Sequence, residues 1–499
     1  MSLFSLTVDV VLKNDCISIG LFSDEIQTRL LARALELGLV DRVAEANEAS
    51  SLSILSPTFS GFRHLRQFCN LSCVVIRANI DSDSVDTLLA NCGHVLKKLE
   101  LQSGLLTDSA FRGLSGRVTA LELLVLDGCK RLSIATVQEA LACSQLGCFS
   151  CGDFVGLLTD PLIAAIEGAQ CSFLQELGFA CAKGLTKDVL SAIARKFAFL
   201  RRLLVKFCFS LVSLDPLCHL GHLEHLDISG CPKVSLPLKQ LVHLRSFKAE
   251  FCDSLTDLSP LPKNITFLDV GSLKRLVPEP ALNLVSKFAF LQRIRMQMTD
   301  TFFRDPFLVD LVAACGASLQ EIQLSPCLIG TDGMIAVSQC AGLEICHLPG
   351  TWCEATDESL SQVATRCKSL RSLSLGKQER AADAAFMSMS SLECLELLDL
   401  SVHSLSSHAL KQSNLPPTLK CLSLRYCRRV EGSSLMALTK LPLLQALDIS
   451  HTSLGFEDLL TFVSRSTSPL SFLNATGLPI SVLQQRKFAE AFPKIQLFV

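Results

Sequence analysis

Three histidines and one cysteine pair have the spacings that most suggest metal chemistry. His219, His222 and His225 recur every third residue, and Cys148 and Cys151 form a C-x-x-C pair. A structural zinc site needs four ligands that converge on one point, often from two such pairs. No second cysteine pair lies near the first in sequence. We therefore expect no metal and no cofactor, and we assign these side chains structural or surface positions.

Short motifs of common active sites are absent. The sequence contains no G-x-x-x-x-G-K-[ST], G-x-G-x-x-G, H-E-x-x-H or G-x-S-x-G. Such motifs hold a nucleophile, a metal or a phosphate-binding backbone in a fixed geometry. We therefore predict that the protein is not an enzyme.

The charge balance argues against two classes of partner. The chain has 46 Lys and Arg against 48 Asp and Glu, a net charge of −2. Nucleic acids and anionic membranes select an excess of basic residues, so we expect neither as a partner. Apolar residues make up 49% of the chain, which excludes a disordered protein. The 29 phenylalanines, against one tyrosine and one tryptophan, are expected to fill the core.

The N-terminus and the 23 cysteines indicate the cell compartment. The opening residues lack a basic stretch followed by a long apolar core, so they do not resemble a secretory signal. No run of apolar residues approaches the 18 or more that a membrane helix needs. We therefore expect an intracellular, cytoplasmic protein whose thiols stay reduced.

A repeated sequence motif determines where the histidines, cysteines and charged residues lie in the fold. The motif L-x-x-L-x-L recurs along almost the whole chain, with consecutive copies 21 to 28 residues apart. A last, truncated copy begins at Lys494. The first positions of the other copies are Leu71, Leu96, Leu121, Leu146, Leu174, Leu200, Leu223, Leu244, Ile265, Leu291, Leu319, Leu343, Leu370, Leu395, Leu419, Leu444 and Leu470.

The repeat predicts an α/β solenoid. Alternate residues of a strand point to opposite faces, so the leucines enter the core and positions three, five and seven face outward. Longer repeats carry a helical segment after the strand, for example residues 186–197. We predict a curved parallel β-sheet on the concave side, with helices and 3₁₀ segments on the convex side.

The cysteines follow the same repeat frame, in two sets that we predict to be structural. The set at position nine, just after the strand, is Cys129, Cys208, Cys231, Cys252, Cys327 and Cys427. The set at the helix ends is Cys92, Cys143, Cys171, Cys315, Cys340 and Cys367.

With these cysteines, residues 65–499 resemble the cysteine-containing subclass of leucine-rich repeats, which is typical of F-box substrate receptors and related cytosolic proteins. The Ser-, Ala- and Cys-rich style is also similar to leucine-rich repeat proteins of kinetoplastid parasites. The shorter repeats at about 211–264 resemble phosphatase-regulator and internalin types instead. They are too short for a full helix, so we expect 3₁₀ or extended segments there.

We divide the chain into an N-terminal cap, residues 1–61, and about 17–18 repeats over 62–499. Helices are predicted over 23–38 and 39–49 of the cap. One interpretation is a cap that shields the first repeat, as solenoids require. The other is a degenerate F-box that binds a cullin adaptor. An F-box usually has Leu-Pro where Phe22 and Ser23 stand, and its later tryptophan is missing here.

The predicted function is a non-catalytic scaffold or adaptor that binds a protein partner on its concave face. The alternative is the substrate-recognition subunit of an SCF-type ubiquitin ligase. Charges of both signs occupy the middle of the concave face, which suits a protein partner better than a phosphate backbone. The candidate binding residues are Arg202, Lys206, His225, Asp227, Lys248, Asp269, Arg293 and Arg295.

Overall fold

The fold is described from a computed structural model of the chain. The chain divides into two compact units, an N-terminal unit (residues 1–255 and 260–262) and a C-terminal unit (256–259 and 263–499). The structure describes residues 17–18, 43–44, 51–54, 65, 68–154, 156–236, 241–256, 258–273, 287–297, 303–378, 383–402 and 405–499.

Among the described residues of the N-terminal unit, nine strands form one parallel sheet. They are β1 (Ser51–Ile54), β2 (Cys73–Ile76), β3 (Lys98–Leu101), β4 (Leu123–Leu126), β5 (Cys148–Gly152), β6 (Glu176–Ala180), β7 (Arg202–Lys206), β8 (His225–Asp227) and β9 (Ser246–Lys248). Each strand pairs in parallel with the next. The described helices on its other side are α1 (Ser82–Cys92), α2 (Leu114–Arg117), α3 (Ile134–Leu141), α4 (Thr159–Glu167) and α5 (Lys187–Lys196), with 3₁₀ helices at Asp108–Phe111 and Asp215–His219.

In the C-terminal unit, ten strands of the described residues belong to a parallel sheet. They are β10 (Phe267–Val270), β11 (Arg293–Gln297), β12 (Glu321–Ser325), β13 (Ile345–Cys353), β14 (Ser372–Gln378), β15 (Leu397–Val402), β16 (Cys421–Ser423), β17 (Ala446–Asp448), β18 (Phe472–Asn474) and β19 (Gln496–Phe498). These strands also pair in order.

Helices follow most strands of the C-terminal unit. They are α6 (Asp305–Cys315), α7 (Thr331–Val337), α8 (Asp357–Arg366), α9 (Asp383–Ser388), α10 (Ser407–Gln412), α11 (Gly432–Leu435), α12 (Phe456–Arg465) and α13 (Val482–Ala491). Two short 3₁₀ helices lie at Met389–Ser391 and Met436–Lys440, and Phe303–Arg304 pairs with Cys327–Leu328 outside the sheet. Among the described residues, no helix is long and apolar enough to span a membrane.

Strand burial has the predicted period of two. In β7, Leu203 and Val205 are completely buried, whereas Arg202 is exposed and Lys206 is partly exposed. The predicted α/β repeat architecture, with strands on one face and helices on the other, is therefore confirmed. We call the face that carries positions three, five and seven of each repeat the strand face.

Carboxylates join the helical side of one repeat to the next. Asp108 accepts hydrogen bonds from the Ser133 backbone N–H (2.9 Å), the Ser133 hydroxyl (2.7 Å) and the Thr136 hydroxyl (2.5 Å). In the C-terminal unit, Asp383 accepts from the N–H and the hydroxyl of Ser406, at 2.8 and 2.6 Å. Each carboxylate lies where the first turn of the following helix has N–H groups without a helical partner.

The two predicted sets of cysteines are buried throughout. Four position-nine thiols donate to the position-six carbonyl of the preceding repeat: Cys129 to Leu101, Cys208 to Phe179, Cys231 to Val205, and Cys252 to Ile228. The thiols thus link neighbouring turns of the chain while filling small core sites. Burial raises the pKa of Cys129 to about 11 and that of Cys252 to about 12.

Alkylation of the native protein should follow this burial. Because iodoacetamide attacks the thiolate, exposed Cys394 should be labelled in the folded chain, and Cys129 and Cys252 only after unfolding. Peptide mass mapping of native and guanidinium-treated samples measures the difference. Equal labelling of Cys394 and Cys252 before unfolding would contradict the structural role of position nine.

Position eight of the repeat has a left-handed backbone in many repeats. Phe207, Phe251 and Tyr426 have φ of 53°, 56° and 64°, which is rare for bulky residues. The same frame position holds Gly230, where an added Cβ would collide with the ring of Phe207. The ten positions are Gly128, Asp153, Cys181, Phe207, Gly230, Phe251, Ser272, Tyr426, His451 and Gly477.

Most of the predicted cap lies outside the described residues. The helix predicted over 23–38, the border at 61/62 and thus the possible F-box cannot be placed. The described pairs Ile17–Ser18 and Val43–Ala44 form a parallel bridge, so a continuous helix over 39–49 is wrong. The parallel sheet already includes β1, because Ser51–Ile54 pairs with Cys73–Ile76. Leu52 and Ile54 of β1 are buried. In the range 211–264, the described residues contain one 3₁₀ helix, Asp215–His219, and no α-helix.

Candidate functional site

The strand face of the C-terminal unit contains a cavity of about 320 Å³. It extends over the middle and later strands of the unit, and it is lined by positions three and five of successive repeats. Position three contributes Leu397, Cys421, Ala446 and Phe472, and position five contributes His347, Ser374, Asp399, Ser423 and Asp448. We call this cavity the groove.

The position-three residues form a continuous apolar row along one side of the groove. The strand register sets Leu397 opposite Cys421, Cys421 opposite Ala446, and Ala446 opposite Phe472. Phe472 is 37% exposed, and its ring centroid lies 5.0 Å from that of Phe498. Apolar side chains at an outward position stabilise no core, so this row is available to an apolar ligand group.

The position-five residues form a parallel polar row. Asp399 accepts from the Ser374 hydroxyl at 3.0 Å. Asp448 accepts from the Ser450 backbone N–H at 2.8 Å and from the Asn474 amide at 2.9 Å. Both carboxylates are partly exposed. The row therefore presents acidic oxygens beside the apolar row, in a fixed orientation.

Two groups at the groove have shifted pKa values. Burial lowers the pKa of His347 and outweighs the charges of Glu321 and Asp399, which act to raise it. The His347 ring hydrogen-bonds the Ser372 hydroxyl at 2.7 Å. Burial raises the pKa of the Cys421 thiol. The imidazole is therefore neutral at physiological pH and the thiol is protonated, so Asp399 and Asp448 provide the charge of the groove.

The predicted binding residues of the N-terminal unit are largely paired within the sheet. Arg202 contacts Glu176 at 3.6 Å, and Lys206 contacts Asp227 at 3.3 Å. Lys248 lies opposite Asp227 in the register of β8 and β9. His225 is half-buried, and burial together with the Arg202 charge lowers its pKa.

The remaining predicted residues belong to the C-terminal unit. Arg295 contacts Glu321 at 2.5 Å and Asp269 at 4.0 Å, and its guanidinium lies over the Phe267 ring at 5.7 Å. Arg293 is exposed at the start of β11. The eight candidates are thus divided between the two units.

Two of the predicted residues differ from expectation in their exposure. The side chains of Asp227 and Asp269 are only 7% and 5% exposed, although both belong to the strand face. The long side chains of Lys206 and Arg295, on neighbouring strands, approach these carboxylates. Their placement favours internal ion pairing over direct contact with a partner, and their role as binding residues stays a prediction.

The sequence motifs considered for metals are dispersed. His219 ends a 3₁₀ helix, His222 stacks on Phe199 at 5.9 Å, and His225 lies in β8. Cys148 is partly exposed, whereas Cys151 is fully buried. In the part of the chain that the structure describes, no three metal-ligating side chains converge.

The apolar row of the groove was not among the predicted residues. Its signal in the sequence is an apolar residue at outward position three of four successive repeats, namely Leu397, Cys421, Ala446 and Phe472. The predicted residues were chosen by charge, and the charged residues of the strand face are concentrated in the earlier repeats.

Together, the stacked strands and the repeat frame define each unit as a leucine-rich repeat fold. No family model matches this sequence, and no curated protein matches it. Three solved structures have similar folds. An internalin from Listeria monocytogenes has 18% identity and a TM-score of 0.40, covering 67% of this chain and 82% of its own.

The second is a chain of the yeast Rad7–Elc1 complex, with 13% identity and a TM-score of 0.37; 99% of this chain and 91% of that chain are covered. The third is a leucine-rich repeat protein of Leptospira interrogans, with 15% identity and a TM-score of 0.37, covering 92% of each chain. At these identities and TM-scores, the likenesses carry no information on function.

Proposed function

We propose that the protein is a non-catalytic interaction scaffold that binds an extended polypeptide segment in the groove. The observation that supports this proposal is the pairing of an apolar row with an acidic row on one face. Ligand sites combine apolar surface with a few fixed polar groups in this way. The absence of catalysis and the cytoplasmic location remain predictions.

The geometry indicates what the segment contains. Adjacent parallel strands lie about 4.8 Å apart, so Asp399 and Asp448, two strands apart, are separated by roughly 10 Å. A segment in the extended polyproline II conformation has three residues per turn and advances about 3.1 Å per residue, so basic residues three apart lie on one side of it and match that separation. An apolar side chain of the same segment would contact Leu397 or Phe472. The partner segment therefore carries an apolar residue near lysine or arginine.

A random peptide library tests this proposal. Twelve-residue peptides selected on the full chain should combine an apolar residue with lysine or arginine. Asp448→Lys should weaken the selected peptides by about 10- to 100-fold, because it places like charges together. Phe472→Asp should do the same by removing apolar contact.

Matched variants provide the controls. Glu490→Lys makes the same charge change at an exposed helix position, and Leu443→Asp changes a side chain that is 43% exposed outside the groove. Neither should alter binding, and thermal unfolding should show that all four variants are folded. Selected peptides that bind Asp448→Lys and Phe472→Asp as tightly as the wild type would refute the groove as the site.

The eight residues predicted from the sequence remain a second hypothesis for the same function. Arg202→Glu, in the N-terminal unit, tests it with the same peptides. A loss of binding in Arg202→Glu but not in Asp448→Lys would move the proposed site to the N-terminal unit. The ligase-receptor alternative depends on the predicted cap, residues 1–61, and no described feature favours it.

A further inference from the structure

An arginine-rich turn lies at the end of β16 in the C-terminal unit. It contains Arg425, Arg428 and Arg429, all exposed, within five residues. Tyr426 lies in the same turn, and His451 occupies the equivalent position in the next repeat. We call these five residues the arginine ledge.

The aromatic side chains of the ledge hold one guanidinium in place. The rings of Tyr426 and His451 are nearly parallel, with an interplanar angle of 8° and centroids 4.8 Å apart. The guanidinium of Arg425 lies 4.9 Å from the Tyr426 ring centroid and donates a hydrogen bond to the tyrosine hydroxyl at 3.2 Å. Arg425 is thus oriented before any ligand arrives, which lowers the entropy lost on binding.

The backbone of the ledge is in an unfavourable conformation. Tyr426 and His451 have φ of 64° and 56°, a region that is uncommon for residues other than glycine. The following repeat has Gly477 at the same position, with φ of 80°, where the conformation costs little. The conformation is common to position eight of many repeats, and at Tyr426 and His451 it carries the stacked rings that orient Arg425.

Neighbouring repeats fix the turn from both sides. The Ser453 hydroxyl donates to the Arg428 carbonyl at 2.9 Å, and the Ser407 hydroxyl donates to the Arg429 carbonyl at 2.9 Å. The Glu431 N–H donates back to Ser407 at 2.9 Å. In the described part of the chain, no carboxylate lies within ion-pair distance of the three arginines. Their charge is available to an external anion.

The distribution of charge in the arginine ledge indicates which kind of anion it binds. Guanidinium groups bind phosphate through paired hydrogen bonds, which makes arginine the preferred partner of phosphate groups. A nucleic acid needs a groove with basic residues along several successive phosphates. The ledge instead concentrates its charge in one turn, next to the acidic row of Asp399 and Asp448. One phosphate group fits this arrangement better than a strand of nucleic acid.

We propose that the arginine ledge binds a phosphorylated serine or threonine side chain of a partner protein. The inference rests on the proposed function in one respect, namely that the partner is a protein. The ledge adjoins the groove, because Cys421 and Ser423 line the groove and Arg425 follows them in the same repeat. Phosphorylation of the partner would therefore strengthen its binding to the scaffold.

Degenerate peptide libraries provide the test. One immobilised library has a fixed central phosphoserine with random flanking residues, and a matched library has serine there. The phosphoserine library should retain at least about ten times as much of the full chain as the serine library, as expected for a charge-assisted contact. The double variant Arg425→Gln with Arg428→Gln should lose this preference. Inorganic phosphate should compete in the millimolar range.

Controls separate this proposal from its alternatives. Arg366→Gln with Arg465→Gln removes two exposed arginines from helix ends of the same unit and should keep the preference. Equal retention by the two libraries, or retention unaffected by the ledge variant, would overturn the proposal. Ledge-dependent binding of a single-stranded oligonucleotide, without phosphopeptide binding, would overturn it in favour of nucleic acid. Peptides selected for the groove should bind the ledge variant normally, so failure of either proposal can be recognised independently.

Discussion

Replacing Phe149 by alanine is expected to lower the free energy of unfolding of the N-terminal unit by about 3–5 kcal/mol. Phe149 is completely buried in β5, and its ring meets that of Phe179 edge to face, at 6.4 Å and 85°. The substitution removes the ring and leaves a cavity between strands held on both sides. Denaturant-dependent hydrogen exchange, followed by mass spectrometry over β4, β5 and β6, measures the change.

The control uses a phenylalanine of the same unit that is largely in solvent. Phe173 is 70% exposed and stacks only on the surface ring of Phe199. Phe173→Ala should change the same free energy by less than about 1 kcal/mol. Because each repeat contacts only its neighbours, the faster exchange in Phe149→Ala should decline with distance along the sheet. A uniform effect over the whole unit would contradict this nearest-neighbour description.

Asp108→Ala is expected to cost about 2–4 kcal/mol at neutral pH, because it removes an acceptor of three hydrogen bonds. The Ser133 N–H and hydroxyl and the Thr136 hydroxyl would lose their partner at the start of α3. Asp188→Ala, in an exposed first-turn position of α5, should cost less than about 1 kcal/mol. Denaturant unfolding of the two variants compares the two effects.

The same carboxyl also makes stability depend on pH. Burial acts to raise the pKa of Asp108, but hydrogen bonds from Thr136 and Ser133 outweigh it and hold the pKa below its ordinary value of 3.8. The stabilising contribution is therefore complete above the unfolded pKa and is lost as the pH falls through the folded pKa. The difference between wild type and Asp108→Ala should shrink from pH 6 to pH 3. A constant difference over that range would contradict the assignment.

The repeat frame could be predicted from the sequence because leucine spacing and strand alternation are local properties. Leu203 and Val205 are buried and Arg202 is exposed, as a period of two requires. The exposure of Asp227 could not be predicted in this way. The low exposure of Asp227 depends on the long side chain of Lys206, which lies on the neighbouring strand and extends to within 3.3 Å of the carboxylate. Lys206 is at position seven of its repeat, whereas Asp227 is at position five.

The groove and the arginine ledge were not predicted from the sequence, for two different reasons. Leu397 and Phe472 are apolar, and an apolar residue in a strand is normally assigned to the core. Tyr426 has a left-handed backbone that its residue type does not favour. Only comparison across repeats indicates it, since Gly230 and Gly477 occupy the same frame position.

The stacking of Tyr426 on His451 also gives the protein a natural spectroscopic reporter. The chain contains 29 phenylalanines but only this one tyrosine. Incorporation of tyrosine labelled with ¹³C in the ring would therefore produce a single set of ring resonances from a chain of 499 residues. Their chemical shifts depend on the ring current of the stacked imidazole and on the nearby guanidinium. Occupation of the ledge could thus be observed in solution without attaching a probe.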